Sequence, residues 1–70
     1  MEFLNIKFRL DGIYYHTKGF APCTEEAFQK GVFSENYIKR CAYHIISGYM
    51  EVKHLEGKPE LVFWTFYKND

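Results

Sequence analysis

The sequence has too few cysteines and too short an apolar run for several common classes of small protein. Two cysteines in 70 residues cannot form the disulfide framework that stabilises small secreted domains, so we expect both thiols to be reduced. The most apolar uncharged run, residues 41–50, is far shorter than the roughly 20 residues that a membrane-spanning helix needs. The amino terminus lacks the basic and apolar regions of a secretory signal. We therefore expect one domain, residues 1–70, in the cytoplasm.

The chain also lacks an excess of charge of either sign. Nine basic residues balance nine acidic ones, so the whole molecule has no net field that would concentrate it on nucleic acid or an anionic membrane. The five glycines are scattered and form no phosphate-binding loop. Every carboxylate fits a helix cap, a turn or the surface, and no acid–base pair stands out. We expect neither an enzyme nor a cofactor site.

Aromatic residues, in contrast, are abundant. They make up 20% of the chain and concentrate in residues 3–20 and 49–67. A domain of this length buries only about 60% of the surface that its unfolded chain exposes, and one helical layer covers only one side of a sheet. Some rings are therefore expected to contact a partner, unless they fill a second small cluster within the monomer.

A β-hairpin is predicted at the start of the chain, with strands at residues 2–10 and 13–20. Asp11-Gly12 separates two alternating apolar runs, and this dipeptide favours a two-residue turn because both positions need positive φ. One side of the hairpin should carry the pairs Leu10–Ile13, Phe8–Tyr15 and Ile6–Thr17. The other side should be basic and partly aromatic, with Lys7, Arg9, Tyr14, His16 and Lys18.

Two short helices are predicted next. Thr24 and Ser34 are the expected N-caps, Gly31 ends the first helix, and the second runs to Ser47 with Gly48 as its terminator. The core stripe of the second helix consists of Ile38, Cys41, Ala42, Ile45 and Tyr49. Its outer face should carry Lys39, Arg40 and Tyr43.

The last segment indicates a second hairpin, with strands at residues 49–55 and 60–68. Its final strand is apolar on both faces, which is typical of a central strand or of one flanked by a second layer. The predicted fold is α+β: a four-stranded antiparallel sheet in ββααββ order, with two short helices packed on one face.

Two chemical alternatives compete with a binding role. Cys41, His44, His16 and Cys23 contain the ligand types of a Cys2His2 zinc site, but they lack the tight paired spacing of such sites. Cys23 near a helix start could be a nucleophile with His16 or His44 as its base, but the adjacent Glu25 and Glu26 disfavour a thiolate. We therefore expect no metal and no catalytic residue.

The main functional hypothesis is a protein interface, formed with a second copy of the chain or with a larger target. Aromatic and Arg side chains are the usual anchors of such surfaces. The predicted contact residues are Arg9, Tyr14, His16, Lys18, Trp64 and Phe66, with Phe3 beside them if the outer faces of both hairpins coincide. Lys39, Arg40 and Tyr43 form a second candidate patch. Replacing Trp64 or Tyr14 by alanine should then weaken binding by more than about 1 kcal/mol and leave the fold largely intact.

The alternative is a sheet that binds single-stranded nucleic acid. Tyr14, His16 and Trp64 would stack on bases, and Lys7, Arg9 and Lys18 would contact phosphates. No consensus of a basic residue, glycine and alternating aromatics is present. The balanced charge also makes this hypothesis the weaker one.

In general build, this compact, cysteine-poor, aromatic-rich chain is similar to the small inhibitors that phages encode against host defence or transcription machinery. The likeness covers size and character only, and it transfers no residue's role. It implies a protein that acts stoichiometrically on a larger protein or complex. With balanced charge, such an inhibitor would work by steric occlusion or by locking a conformational state rather than by acidic mimicry.

Overall fold

The computed structural model describes residues 2–68. These residues form an α+β fold with three strands and two helices. In chain order the elements are β1 (Glu2–Leu10), β2 (Ile13–Phe20), α1 (Glu25–Gln29), α2 (Glu35–Lys53) and β3 (Glu60–Lys68). The three strands form one antiparallel sheet in the order β2-β1-β3.

The first hairpin is confirmed, including the bounds of both strands and their register. Asp11 and Gly12 have φ values of 51° and 79°, the pair of left-handed conformations that a two-residue turn requires. The turn therefore fixes which residues of β1 and β2 face each other. The observed pairs include Leu10 with Ile13, Phe8 with Tyr15 and Ile6 with Thr17.

Both predicted helix starts are confirmed. The Thr24 hydroxyl accepts a hydrogen bond from the Ala27 N–H, and the Ser34 hydroxyl accepts one from the Tyr37 N–H, each at 3.1 Å. These side chains satisfy amides that have no partner within the helix. Gly31, with a φ of 80°, follows the end of α1 as expected.

The predicted end of the second helix is wrong. α2 continues through Gly48 to Lys53, and His54 ends it in the left-handed conformation with a φ of 57°. Glycine inside a helix costs about 1 kcal/mol relative to alanine. Burial outweighs this cost, because Met50 continues the buried stripe of α2, whose members recur every four residues: Ile38, Ala42, Ile46 and Met50.

The four-stranded sheet and the ββααββ order are therefore also wrong. Residues 49–53 belong to α2, so β3 has no hairpin partner next to it in sequence and pairs with β1 instead. β3 is consequently an edge strand, although it is apolar on both faces. The helices do pack on one face of the sheet, where the central strand contributes four buried side chains: Leu4, Ile6, Phe8 and Leu10.

A β-bulge sets the direction of the side chains in β3. Lys7 pairs with Phe63 and Phe8 pairs with Leu61, which leaves Val62 as an extra residue. Because side chains alternate between faces, the extra residue shifts the alternation by one position. Leu61 and Trp64 therefore both point towards the helices, whereas Phe63 points away.

Gly19 of β2 lies so close to α2 that a larger residue should destabilise the fold. A Cβ at Gly19 would lie 2.7 Å from Cδ1 and Cγ1 of Ile45, and β-branched side chains in helices have almost no alternative rotamer. We expect Gly19→Ala to lower the free energy of unfolding by about 1–3 kcal/mol, measured by urea denaturation. The matched control is Gly48→Ala, which meets nothing within 4 Å and should raise stability by about 0.5–1 kcal/mol. Equal effects of the two substitutions would contradict the close approach.

Candidate functional site

One face of the sheet is covered by no helix of residues 2–68, and we call it the open face. Side chains alternate along each strand, so the register that buries one set places the other set here. Its members come from all three strands: Phe3, Asn5, Lys7 and Arg9 of β1, Tyr14, His16, Lys18 and Phe20 of β2, and Glu60, Phe63, Thr65 and Tyr67 of β3.

An aromatic cluster occupies one end of the open face. The ring of Phe3 stacks on Phe20 with a centroid distance of 5.1 Å and lies 6.4 Å from the ring of Tyr67. The Lys18 ammonium lies 4.8 Å from the centroid of the Tyr67 ring, in cation–π geometry. Phe20 is nevertheless 68% exposed, so this cluster leaves a large phenyl surface in water.

The other end combines a tyrosine with paired charges. The Lys7 ammonium lies 4.8 Å from the centroid of the Tyr14 ring. Arg9 donates a hydrogen bond from Nη2 to Oε1 of Glu60 at 2.8 Å. Both partners of this ion pair are exposed, so its main effect is to orient the guanidinium rather than to stabilise the fold.

A groove of about 440 Å³ lies between these two ends. Its open-face lining consists of Asn5, Lys7, His16, Lys18, Phe63 and Thr65. The two lysines stand on neighbouring strands, and Phe63, which is 60% exposed, stands on the third. The groove is therefore basic on one side and apolar on the other.

The open face carries more positive than negative charge, although the whole chain is neutral. Its basic residues are Lys7, Arg9 and Lys18, and its acidic residue is Glu60, which pairs with Arg9. The charge of Arg9 is balanced by Glu60, whereas the ammonium groups of Lys7 and Lys18 lie over the rings of Tyr14 and Tyr67. The open face can therefore attract anionic groups.

Four of the predicted contact residues share the open face: Arg9, Tyr14, His16 and Lys18. The structure does not bring Trp64 and Phe66 to them. Both lie on the helix side, with centroids 5.5 Å and 5.7 Å from the ring of Phe28 in α1. Trp64 cannot share one contact surface with Tyr14, because the sheet separates them. The binding roles of all six residues stay predictions.

The second predicted patch lies on the outer side of α2. Lys39 and Arg40 are exposed, and the Lys39 ammonium lies 3.7 Å from a carboxylate oxygen of Glu35. Tyr43 has a structural contact, since its hydroxyl accepts a hydrogen bond from the Leu61 N–H at 2.9 Å. Part of this patch therefore holds β3 against α2, and its role in binding also stays a prediction.

Sequence reasoning missed three aromatic members of the open face: Phe20, Phe63 and Tyr67. Phe20 could have been predicted, because the Asp11-Gly12 register puts it on the same side as Tyr14 and Lys18. Phe63 and Tyr67 could not have been predicted, because the direction of their side chains depends on pairing with β1 and on the bulge at Val62. No local signal in residues 60–68 reveals either fact.

The structure separates the residues of the alternative chemistries. His16 lies on the open face, whereas Cys23 packs against the core on the helix side. Within residues 2–68, no three His, Cys, Asp or Glu side chains form a group that could hold a metal ion. Burial, followed by the nearby Glu2 and Cys41, raises the pKa of the Cys23 thiol. This direction is opposite to the one that activates a nucleophilic cysteine.

No protein family, curated protein or solved structure matches this chain. Neither helix within the described residues is long and apolar enough to cross a membrane.

Proposed function

We propose that this chain is a non-enzymatic protein-binding module that docks its open face on a larger protein and acts on it stoichiometrically, as an inhibitor or modulator. One observation carries the proposal: Phe20 and Phe63 expose 68% and 60% of their surface on this face. Phenyl rings have no polar atom that would benefit from water, and their exposure costs free energy until a partner covers them.

Charge complementarity specifies the chemistry of the partner surface. Phe20 and Phe63 require apolar sockets, whereas Lys7 and Lys18 between them require carboxylates. The two lysines already lie over Tyr14 and Tyr67, so they lose less conformational entropy on binding than free lysines would. An acidic protein surface with two apolar pockets fits this arrangement.

Site-specific photocrosslinking in the cells that naturally produce the protein tests the proposal. A photoreactive phenylalanine analogue at position 20 or 63 should crosslink to one protein of discrete mass. The matched controls are positions 32 and 52, where Val32 and Val52 are 65% and 74% exposed but lie outside the sheet. Equal crosslinking from all four positions, or none from the open face, would overturn the proposal.

A titration with the purified target then measures the energetics. We expect Phe63→Ala to weaken binding at least tenfold, because truncation of an aromatic anchor at a binding hot spot costs about 2 kcal/mol or more. Val52→Ala should change the dissociation constant less than twofold. A Phe63→Ala variant that binds like the wild type would rule out Phe63 as an anchor.

A second candidate function, binding of single-stranded nucleic acid, is favoured by one observation. Tyr14 and His16 are exposed on the strand next to Lys7, and Lys18 follows along the same groove. Stacking on rings between cations is the usual arrangement for such ligands. Fluorescence anisotropy with a labelled single-stranded oligonucleotide tests this second candidate: saturable binding that weakens with salt supports it, and the absence of binding rules it out.

A further inference from the structure

The outer edge of β3 is available for strand pairing. β3 is the last strand in the order β2-β1-β3. Within residues 2–68, no backbone hydrogen bond outside the sheet involves this strand. Every second residue of an edge strand directs its N–H and C=O groups away from the sheet, where they can template another strand.

This edge is protected at its beginning but not along residues 63–67. The bulge at Val62 interrupts regular pairing, and the Tyr43 hydroxyl takes up the Leu61 N–H. Residues 63–67 contain no charge, proline, glycine or bulge, which are the features that normally protect an edge. The opposite edge strand, β2, has Lys18 and Gly19 within it. β3 is therefore the less protected of the two edges of the sheet.

We propose that a second copy of this chain pairs with residues 63–67 in antiparallel orientation, around a two-fold axis at Thr65. Such an axis runs perpendicular to the sheet and places both open faces on the same side. The result is a continuous six-stranded sheet with all helices on the other side. This inference stands on the edge alone and does not depend on the proposed function.

Self-complementarity of the segment selects a second copy rather than another partner. In this register Phe63 lies opposite Tyr67 of the other copy, and Trp64 lies opposite Phe66. Thr65 lies opposite itself, and Lys68 lies opposite the uncharged Val62. Aromatic pairs and Thr–Thr pairs are among the favourable cross-strand combinations, and no like charges meet. A two-fold interface requires this kind of pattern, because the residue at each position of one copy must pair favourably with the residue that the axis places opposite it in the other copy.

The first test is the mass of the full chain by light scattering, from about 1 µM to about 500 µM. The mass should rise from 8.4 kDa towards twice that value. Thr65→Lys and Thr65→Glu should each weaken association at least tenfold, because two like charges would meet on the axis. An equimolar mixture of the two variants should restore the dimer. A wild type that stays monomeric throughout, or a mixture that fails to associate, would overturn the inference.

Two further variants separate edge pairing from stacking of two open faces. Phe20→Ser removes the most exposed ring of the open face, on the strand farthest from the proposed axis. Edge pairing predicts less than a twofold change in the dissociation constant of the dimer, whereas stacking of two open faces predicts loss of the dimer.

Thr65→Cys places two thiols opposite each other, and antiparallel pairing brings their Cα atoms to about 4.5–5.5 Å, within disulfide range. A disulfide-linked dimer should form from this variant and not from Lys18→Cys, and failure of this contrast would exclude the axis at Thr65.

Discussion

Replacing Phe8 by alanine is expected to remove about half of the free energy of unfolding at 25 °C. Phe8 is fully buried on the middle strand of the sheet. Its ring stacks on Tyr15 with a centroid distance of 5.3 Å and meets Tyr49 of α2 edge-on at 5.8 Å. Truncation of a buried phenylalanine costs about 3–5 kcal/mol. The whole stability expected for a chain of this length is only about 4–10 kcal/mol.

Urea denaturation followed by far-ultraviolet circular dichroism measures this loss. Phe8→Leu is the matched control, since it retains most of the apolar volume and should lose much less stability. Because the ring contacts both Tyr15 of β2 and Tyr49 of α2, we expect its loss to destabilise the sheet and the helical layer alike. A Phe8→Ala variant within about 1 kcal/mol of the wild type would show that the aromatic cluster does not form.

Replacing Trp64 by alanine is expected to cost about 2–3 kcal/mol of stability, below the range for fully buried tryptophan because Trp64 is half-buried. Its ring contacts Phe28 at 5.5 Å and Phe66 at 5.6 Å, both nearly perpendicular. These contacts fasten α1 to the edge strand. This expectation replaces the one from sequence, in which the same substitution left the fold largely intact.

Phe63→Ala is the control for Trp64→Ala, because the two residues are neighbours on one strand and point to opposite faces. Phe63 is 60% exposed, so its truncation should cost less than about 1 kcal/mol. The expected difference between the two midpoints in urea directly reports which face each ring occupies. A larger loss for Phe63 than for Trp64 would mean that the register of β3 is shifted by one residue.

The parts of the fold that sequence predicted are those that local chemistry decides. Asp11-Gly12 needs only its own backbone conformations to set the register of residues 2–20, and that register placed Arg9, Tyr14, His16 and Lys18 together. Thr24 and Ser34 need only the amides of the next turn. Each of these features depends on residues a few positions apart.

The parts that sequence missed depend on contacts between distant residues. Gly48 locally favours the end of a helix, but burial of Met50 against the sheet stabilises the continuation of α2 to Lys53. The partner of β3 is β1, more than fifty residues away, and the bulge at Val62 exists only in that pairing. The directions of Phe63 and Trp64 therefore could not be read from residues 60–68 alone, and neither could the aromatic half of the candidate site.

The bulge at Val62 also limits how strongly two copies can hold each other. Without the extra residue, β3 would pair regularly with β1 and present an unbroken edge along Glu60–Lys68. A long, flat and apolar edge of that kind is a site of tight strand pairing and aggregation. The bulge shortens the shared segment to a few residues, so that association would stay reversible and the population of dimers would follow the amount of protein in the cell.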